Sequence, residues 1–197
     1  MRIPLTLFAV VLSAASAVAA HAQVAASGAV NESAAAATIP SGMSFAFDAS
    51  QKHVVASGVQ LSASTIKSDS VSPTTGTIIV TININVVSRF EAGTTYHCSV
   101  DAIGGIIDLR KGVIDGGLET VNNFATGSGT SFSCTMTIPY SWTLPHAGRA
   151  STGLILAFGV GAINEHDEVE HSTLQVDGIE NLPATGATSK FTFNVAL

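Results

Sequence analysis

The chain is short of charge. Only 11% of its 197 residues are Asp, Glu, Lys or Arg, against about 25% in an average soluble protein. Lys and Arg number 8 against 14 Asp and Glu. That leaves no basic stripe for a phosphate backbone and excludes a nucleic-acid binder. With 46% hydrophobic residues the chain is not a charge-rich disordered one either. Aromatics are few, with 1 Trp and 2 Tyr. Two tyrosines cannot form the girdles of an outer-membrane barrel, and Leu197 stands where such a barrel ends on an aromatic. Past the N-terminus no apolar run is long enough for a bilayer helix. Gly153–Ile163 comes closest, and its length suits a strand buried on both faces.

Catalytic and cofactor motifs are missing as well. There is no Gly-x-Ser-x-Gly elbow, and Gly127-Ser128-Gly129 lacks the strand-to-helix setting of a phosphate cradle. His53, His97 and His146 read as surface imidazoles. Paired carboxylates for glycoside cleavage would have to come from Asp101, Asp108, Asp115, Glu119 or the acidic stretch described below, and nothing in the spacing selects two of them. These observations predict a protein that is not an enzyme and carries no cofactor.

What is present begins with an export signal. Residues 1–22 combine Arg2, an apolar run from Leu5 to Leu12 and a small-residue end at Ala20-His21-Ala22. They predict a bacterial signal peptide cleaved near Ala22, and a secreted or periplasmic mature chain. Residues 23–40 form an Ala- and Ser-rich lead-in segment. Residues 41–197 read as one domain, long enough to bury a real core.

Within that domain apolar stretches alternate with Gly, Pro, Ser, Asn and Asp. Candidate strands are Met43–Asp48, Val54–Ala63, Thr77–Ser88, Thr94–Ala102, Ile106–Leu109, Ser131–Tyr140, Gly153–Ile163, Ser172–Val176 and Lys190–Leu197. The clearest sets Ile78, Val80, Ile82, Ile84 and Val86 against Thr81, Asn83 and Asn85. The last sets Phe191, Phe193, Val195 and Leu197 against Lys190, Thr192 and Asn194. About nine such strands predict an all-β fold, an antiparallel β-sandwich of immunoglobulin-like or jelly-roll-like type, with a small closed barrel as the alternative.

Cys98 and Cys134 are the only cysteines. An even count in an exported chain predicts one disulfide. Period-2 alternation puts Tyr96, Cys98 and Val100 on one face of their strand and His97, Ser99 and Asp101 on the other. It likewise groups Phe132, Cys134, Met136 and Ile138, so both sulfurs point to apolar sides. With no Cys-x-x-Cys spacing and no flanking base, the pair reads as structural rather than redox-active.

Two stretches read as long loops, Arg110–Thr130 and Asn164–His171, and loops are where a sandwich carries function. The second holds Glu165, His166, Asp167, Glu168, Glu170 and His171. His166, Asp167, Glu170 and His171 are the candidate ligands for a divalent cation, calcium by its oxygens or zinc by its imidazoles. Their spacing matches neither a His-Glu-x-x-His helix nor a calcium-binding hand. A solvated acidic turn that protects a sheet edge accounts for the same residues. Tyr140 and Trp142 share strand parity and form either a core plug or a surface aromatic patch.

The lead-in alternates Val24, Ala26, Gly28 and Val30 with Gln23, Ala25, Ser27, Ala29 and Asn31. It resembles the N-terminal extension by which pilin subunits of the chaperone–usher family add a strand to a neighbour. That resemblance implies strand-exchange assembly, although Ala196 stands where the family carries an aromatic. Taken together, the sequence predicts an exported, non-catalytic module with a structural, adhesive or interaction role. Its partner would be a protein or cell surface, and the mature chain has no membrane span. A metal-binding or hydrolytic protein using residues 165–171 is the competing expectation.

Overall fold

The computed structural model describes residues 42–58, 60–61, 74–108, 113–142, 152–179 and 182–197. The signal peptide, the Ala/Ser-rich segment and His146 lie outside the described residues. Among the described residues all regular structure is strand: β1 Ser44–Asp48, β2 His53–Ser57, β3 Gln60–Leu61, β4 Thr74–Asn85, β5 Thr95–Asp108, β6 Val113–Phe124, β7 Thr126–Ser128, β8 Ser131–Trp142, β9 Thr152–Ile163, β10 Val169–Ile179 and β11 Thr188–Ala196.

Strand formation follows the period-2 signal. In β4 the side chains of Ile78, Val80, Ile82 and Ile84 are buried while Asn83 and Asn85 are exposed. In β8 Cys134, Met136, Ile138, Tyr140 and Trp142 alternate with exposed Thr135, Thr137, Pro139 and Ser141. Two sheets result, one of five strands in the order β10-β9-β5-β6-β3 and one of four in the order β11-β4-β8-β7. Their inner faces share one apolar core, to which β4, β8 and β11 contribute from one side and Val100, Leu154, Leu156, Phe158 and Val160 from the other. Each Val, Leu, Ile or Phe buried here stabilises the fold by about 1.5–3 kcal/mol.

The predicted disulfide is formed. Cys98 on β5 and Cys134 on β8 join the two sheets through the core, with Cα atoms 6.3 Å apart.

Four features differ from the sequence expectation. Two pairings are parallel, β11 with β4 and β3 with β6, where an antiparallel sandwich was expected. The two strands expected at Thr94–Ala102 and Ile106–Leu109 are not separate, because residues 95–108 form the single strand β5. The stretch Arg110–Thr130 is not a long loop, because residues 113–124 and 126–128 form β6 and β7. Glycine explains both of these errors. Gly104 and Gly117 are register partners across β5 and β6, and a Cβ on either would collide with the indole of Trp142 from the other sheet. They are a floor for Trp142, not a turn. Tyr140 and Trp142 are accordingly a core plug, with ring centroids 4.5 Å apart.

The fourth difference is a third layer. β1 and β2 form a hairpin that lies on the outer face of the five-stranded sheet, where Met43 packs with Ile103 and Ile155, flanked by Phe45 and Ala56. Gly159 and Gly161 admit the Phe47 ring close to the backbone of β9. Both faces of β9 are thereby covered and its residues 153–163 are all buried, as the apolar run at Gly153–Ile163 predicts. The face of His97, Ser99 and Asp101 was expected to be wet; under the hairpin, Ser99 and Asp101 are buried.

Candidate functional site

The acidic stretch is the turn between β9 and β10. Asn164 builds it: its side-chain Oδ1 accepts the N–H groups of His166 at 3.0 Å and Glu168 at 2.9 Å. Asp167 takes a left-handed backbone with φ of 68°. The four candidate ligands go to different neighbours. The Asp167 carboxylate accepts from Lys52 Nζ at the tip of the β1–β2 hairpin. Glu170 sits at a bulge in β10 and accepts from Thr94 Oγ1 at 2.8 Å. The His171 ring lies beside Phe90 at 6.4 Å between centroids, and His166 is exposed, with Nε2 3.9 Å from Glu165 Oε1. Among the described residues no group of three or more His, Cys, Asp or Glu side chains is placed to hold a metal ion. The turn instead fastens two hairpins together. Among the described residues Lys52, with φ of 57°, and Asp167 are the non-glycine residues of positive φ, and they are each other's ionic partners.

A second polar group lies in the seam under the hairpin. The backbone N–H of Val54 donates to Ser99 Oγ at 2.9 Å, and that of Ala56 donates to the Asp101 carboxylate. Thr120 Oγ1 also donates to Asp101, at 2.7 Å. Side chains of β5 thus take the role that a neighbouring strand would play for the edge of β2. Burial pushes the Asp101 carboxyl above its ordinary value, against the lowering effect of Thr120, His53 and Ala56. His97 stacks on exposed Phe124 at 4.7 Å. Burial, with Lys52 and His53 acting in the same sense, holds its imidazole below the usual range. Ser99 and Asp101 are thus engaged in holding the hairpin.

The third surface is the outer face of the four-stranded sheet. Its register sets Thr192, Thr81 and Thr135 in one row across β11, β4 and β8. The next row is Asn194, Asn83, Ser133 and Thr126, continuing onto β7. Thr81 and Thr135 hydroxyls are 3.3 Å apart, and Asn83 Nδ2 donates to Asn194 Oδ1 at 3.1 Å. Outward positions on this sheet are Thr, Ser or Asn apart from Ile79, Pro139, Ala196 and Lys190. Rows lie about 6.6–6.8 Å apart along the strands, with neighbouring strands about 4.7–4.9 Å apart. At the end bearing the asparagines, the face opens into a shallow groove of about 510 Å³.

The sequence showed the wet residues of β4 and β11 separately. It gave no sign that they stand side by side, because that depends on a parallel pairing of strands about a hundred residues apart in the chain. No family model, curated protein or solved structure matches the chain.

Proposed function

We propose that the protein is an exported, non-catalytic interaction module of the bacterial envelope or extracellular space, and that it attaches to a cell-surface partner through the outer face of its four-stranded sheet. The observation that carries this reading is the ordered rows of threonine and asparagine on that face. A sheet face kept wet only for solubility needs polar residues, not hydroxyls and amides aligned in register over three and four strands. The cross-sheet disulfide suits an oxidising compartment and supports export. The test pairs localisation with attachment. The tagged protein is expected to leave the cytoplasm with its N-terminus cut near Ala22, and to sediment with its producer's envelope fraction. Thr81→Ala, Asn83→Ala and Thr135→Ala combined should release it. Retention of the triple variant, or an uncut cytoplasmic chain, counts against the reading.

The free edge of β11 favours a second reading. Among the described residues that strand pairs only with β4, so its other edge is open to strand addition by residues 23–31 of another copy. Deleting Gln23–Val30 should then reduce an oligomer to a monomer by light scattering, whereas an unchanged mass rejects it.

A further inference from the structure

We infer that the groove on the four-stranded sheet is a binding site for a neutral polysaccharide; this rests on the reading that the same face is the attachment surface. Asn83, Asn85, Asn194, Thr126, Ser131 and Ser133 form the groove's polar lining beside Ile84, Phe132 and Val195, which pack into the core, and none of these residues carries a charge. A phosphorylated, sulfated or carboxylated ligand would find no Arg or Lys among the lining residues and would lose its hydration without a counter-charge. A lipid or an amphipathic helix would find amides and hydroxyls where it needs an apolar floor, because Ile84 and Val195 are buried in the core and Phe132 packs against it. A peptide added as a strand needs free main-chain groups. In this groove those of β4 and β8 are already paired with each other over the whole of Thr74–Asn85.

The remaining class is an uncharged polyol. Each asparagine amide offers two N–H donors and one carbonyl acceptor, and each hydroxyl both donates and accepts. Adjacent hydroxyls on a sugar ring need that same mixture. The Asn83–Asn194 bond fixes one amide against the other, so ordering entropy is already lost before a ligand arrives. At about 510 Å³ the groove falls within the range of about 300–1,000 Å³ typical of small-ligand sites. The rows continue past its mouth over Thr81, Thr135 and Thr192. An extended chain of sugars, not a single one, matches that shape.

The probes are microcrystalline cellulose, chitin and granular starch, in pull-down with the purified protein, followed by titration with soluble oligosaccharides of whichever polymer retains it. Retention on at least one of the three is expected. Asn83→Ala with Asn194→Ala should weaken it at least tenfold while the melting temperature holds, and Phe124→Ala, on the other sheet, should leave it unchanged. The inference is overturned by failure to bind all three polymers, by binding that survives the double variant, or by preference for heparin over the neutral polymers. If no neutral polymer binds but the double variant still detaches the protein from the envelope fraction, the polysaccharide falls and the attachment face stands. If detachment also fails, both fall.

Discussion

The five-stranded sheet is covered on both faces, and its two covers use opposite chemistry. On the inner side the four-stranded sheet brings Met136, Ile138, Tyr140 and Trp142 against Val100, Leu154, Leu156 and Phe158, with a disulfide through the middle. On the outer side the β1–β2 hairpin brings a small apolar cluster around Ile103 and Ile155. It adds a line of buried polar contacts at Ser99 and Asp101 and an ionic contact at the tips. The inner cover is held by burial, which acts in every direction. The outer cover is held by directed bonds, each of which fixes position but contributes less. The difference predicts that the sandwich unfolds as a unit, while the hairpin can lift without it.

The inner cover carries the largest expected losses. Trp142→Ala should cost about 3–5 kcal/mol by removing the indole from its glycine floor, read as a loss of midpoint in urea. Cys98→Ser with Cys134→Ser should cost about 2–5 kcal/mol, and reducing the native protein should reproduce most of that loss. On the weak side, Asp101→Ala leaves the Ala56 N–H and the Thr120 hydroxyl without their acceptor. It should cost about 1–3 kcal/mol and speed amide exchange at Val54 and Ala56 while the amides of β9 stay protected. An equal rise across β9 would show that hairpin and sandwich open together.

Asp101→Asn separates the two covers by their response to pH. Because burial raises the folded-state pKa, the unfolded chain releases its proton first as pH rises past the ordinary value of 3.8. Stability contributed by the protonated form is fully present below that value and is lost as pH climbs through the folded-state pKa. Asn cannot ionise, so the variant should gain on the native protein from acid to neutral pH, with the two closest at the acid end. Asp48, at the exposed hairpin turn, has the opposite sign. Bonds from Ser50 and Gln51 hold its carboxyl below the ordinary value, so its contribution is lost as pH falls. The smallest effect belongs to Lys52→Ala. An ion pair whose acid is 82% exposed should contribute about 0–1 kcal/mol, visible as faster exchange at the hairpin tip and weakened further by salt.

Much of the inner cover was legible from residue spacing. Alternation in β4, β8 and β11 named the buried side chains, and the parity of Cys98 and Cys134 pointed both sulfurs inward. β6 was missed because it lies near a sheet edge: Thr120 and Asn122 on one face and Glu119 and Asn123 on the other leave no apolar period to read. The seam was missed for a different reason. His97, Ser99 and Asp101 have the pattern of a solvated face, and only the later docking of β2 makes it an interior. Of the groove, the sequence supplied the residue types but not the rows, which depend on which strands become neighbours. The acidic turn was legible in position, and its role as a clasp depends on Lys52 reaching it from over a hundred residues away.

The placement of β11 has a consequence for how the molecule is made. β4 has β8 and β11 as its neighbours, so an inner strand of the four-stranded sheet is complete only once the nine residues of β11 have docked. Folding on such a long-range pairing is intrinsically slow. Until that pairing forms, one edge of β4 stays open and the core lacks Phe191, Phe193 and Val195.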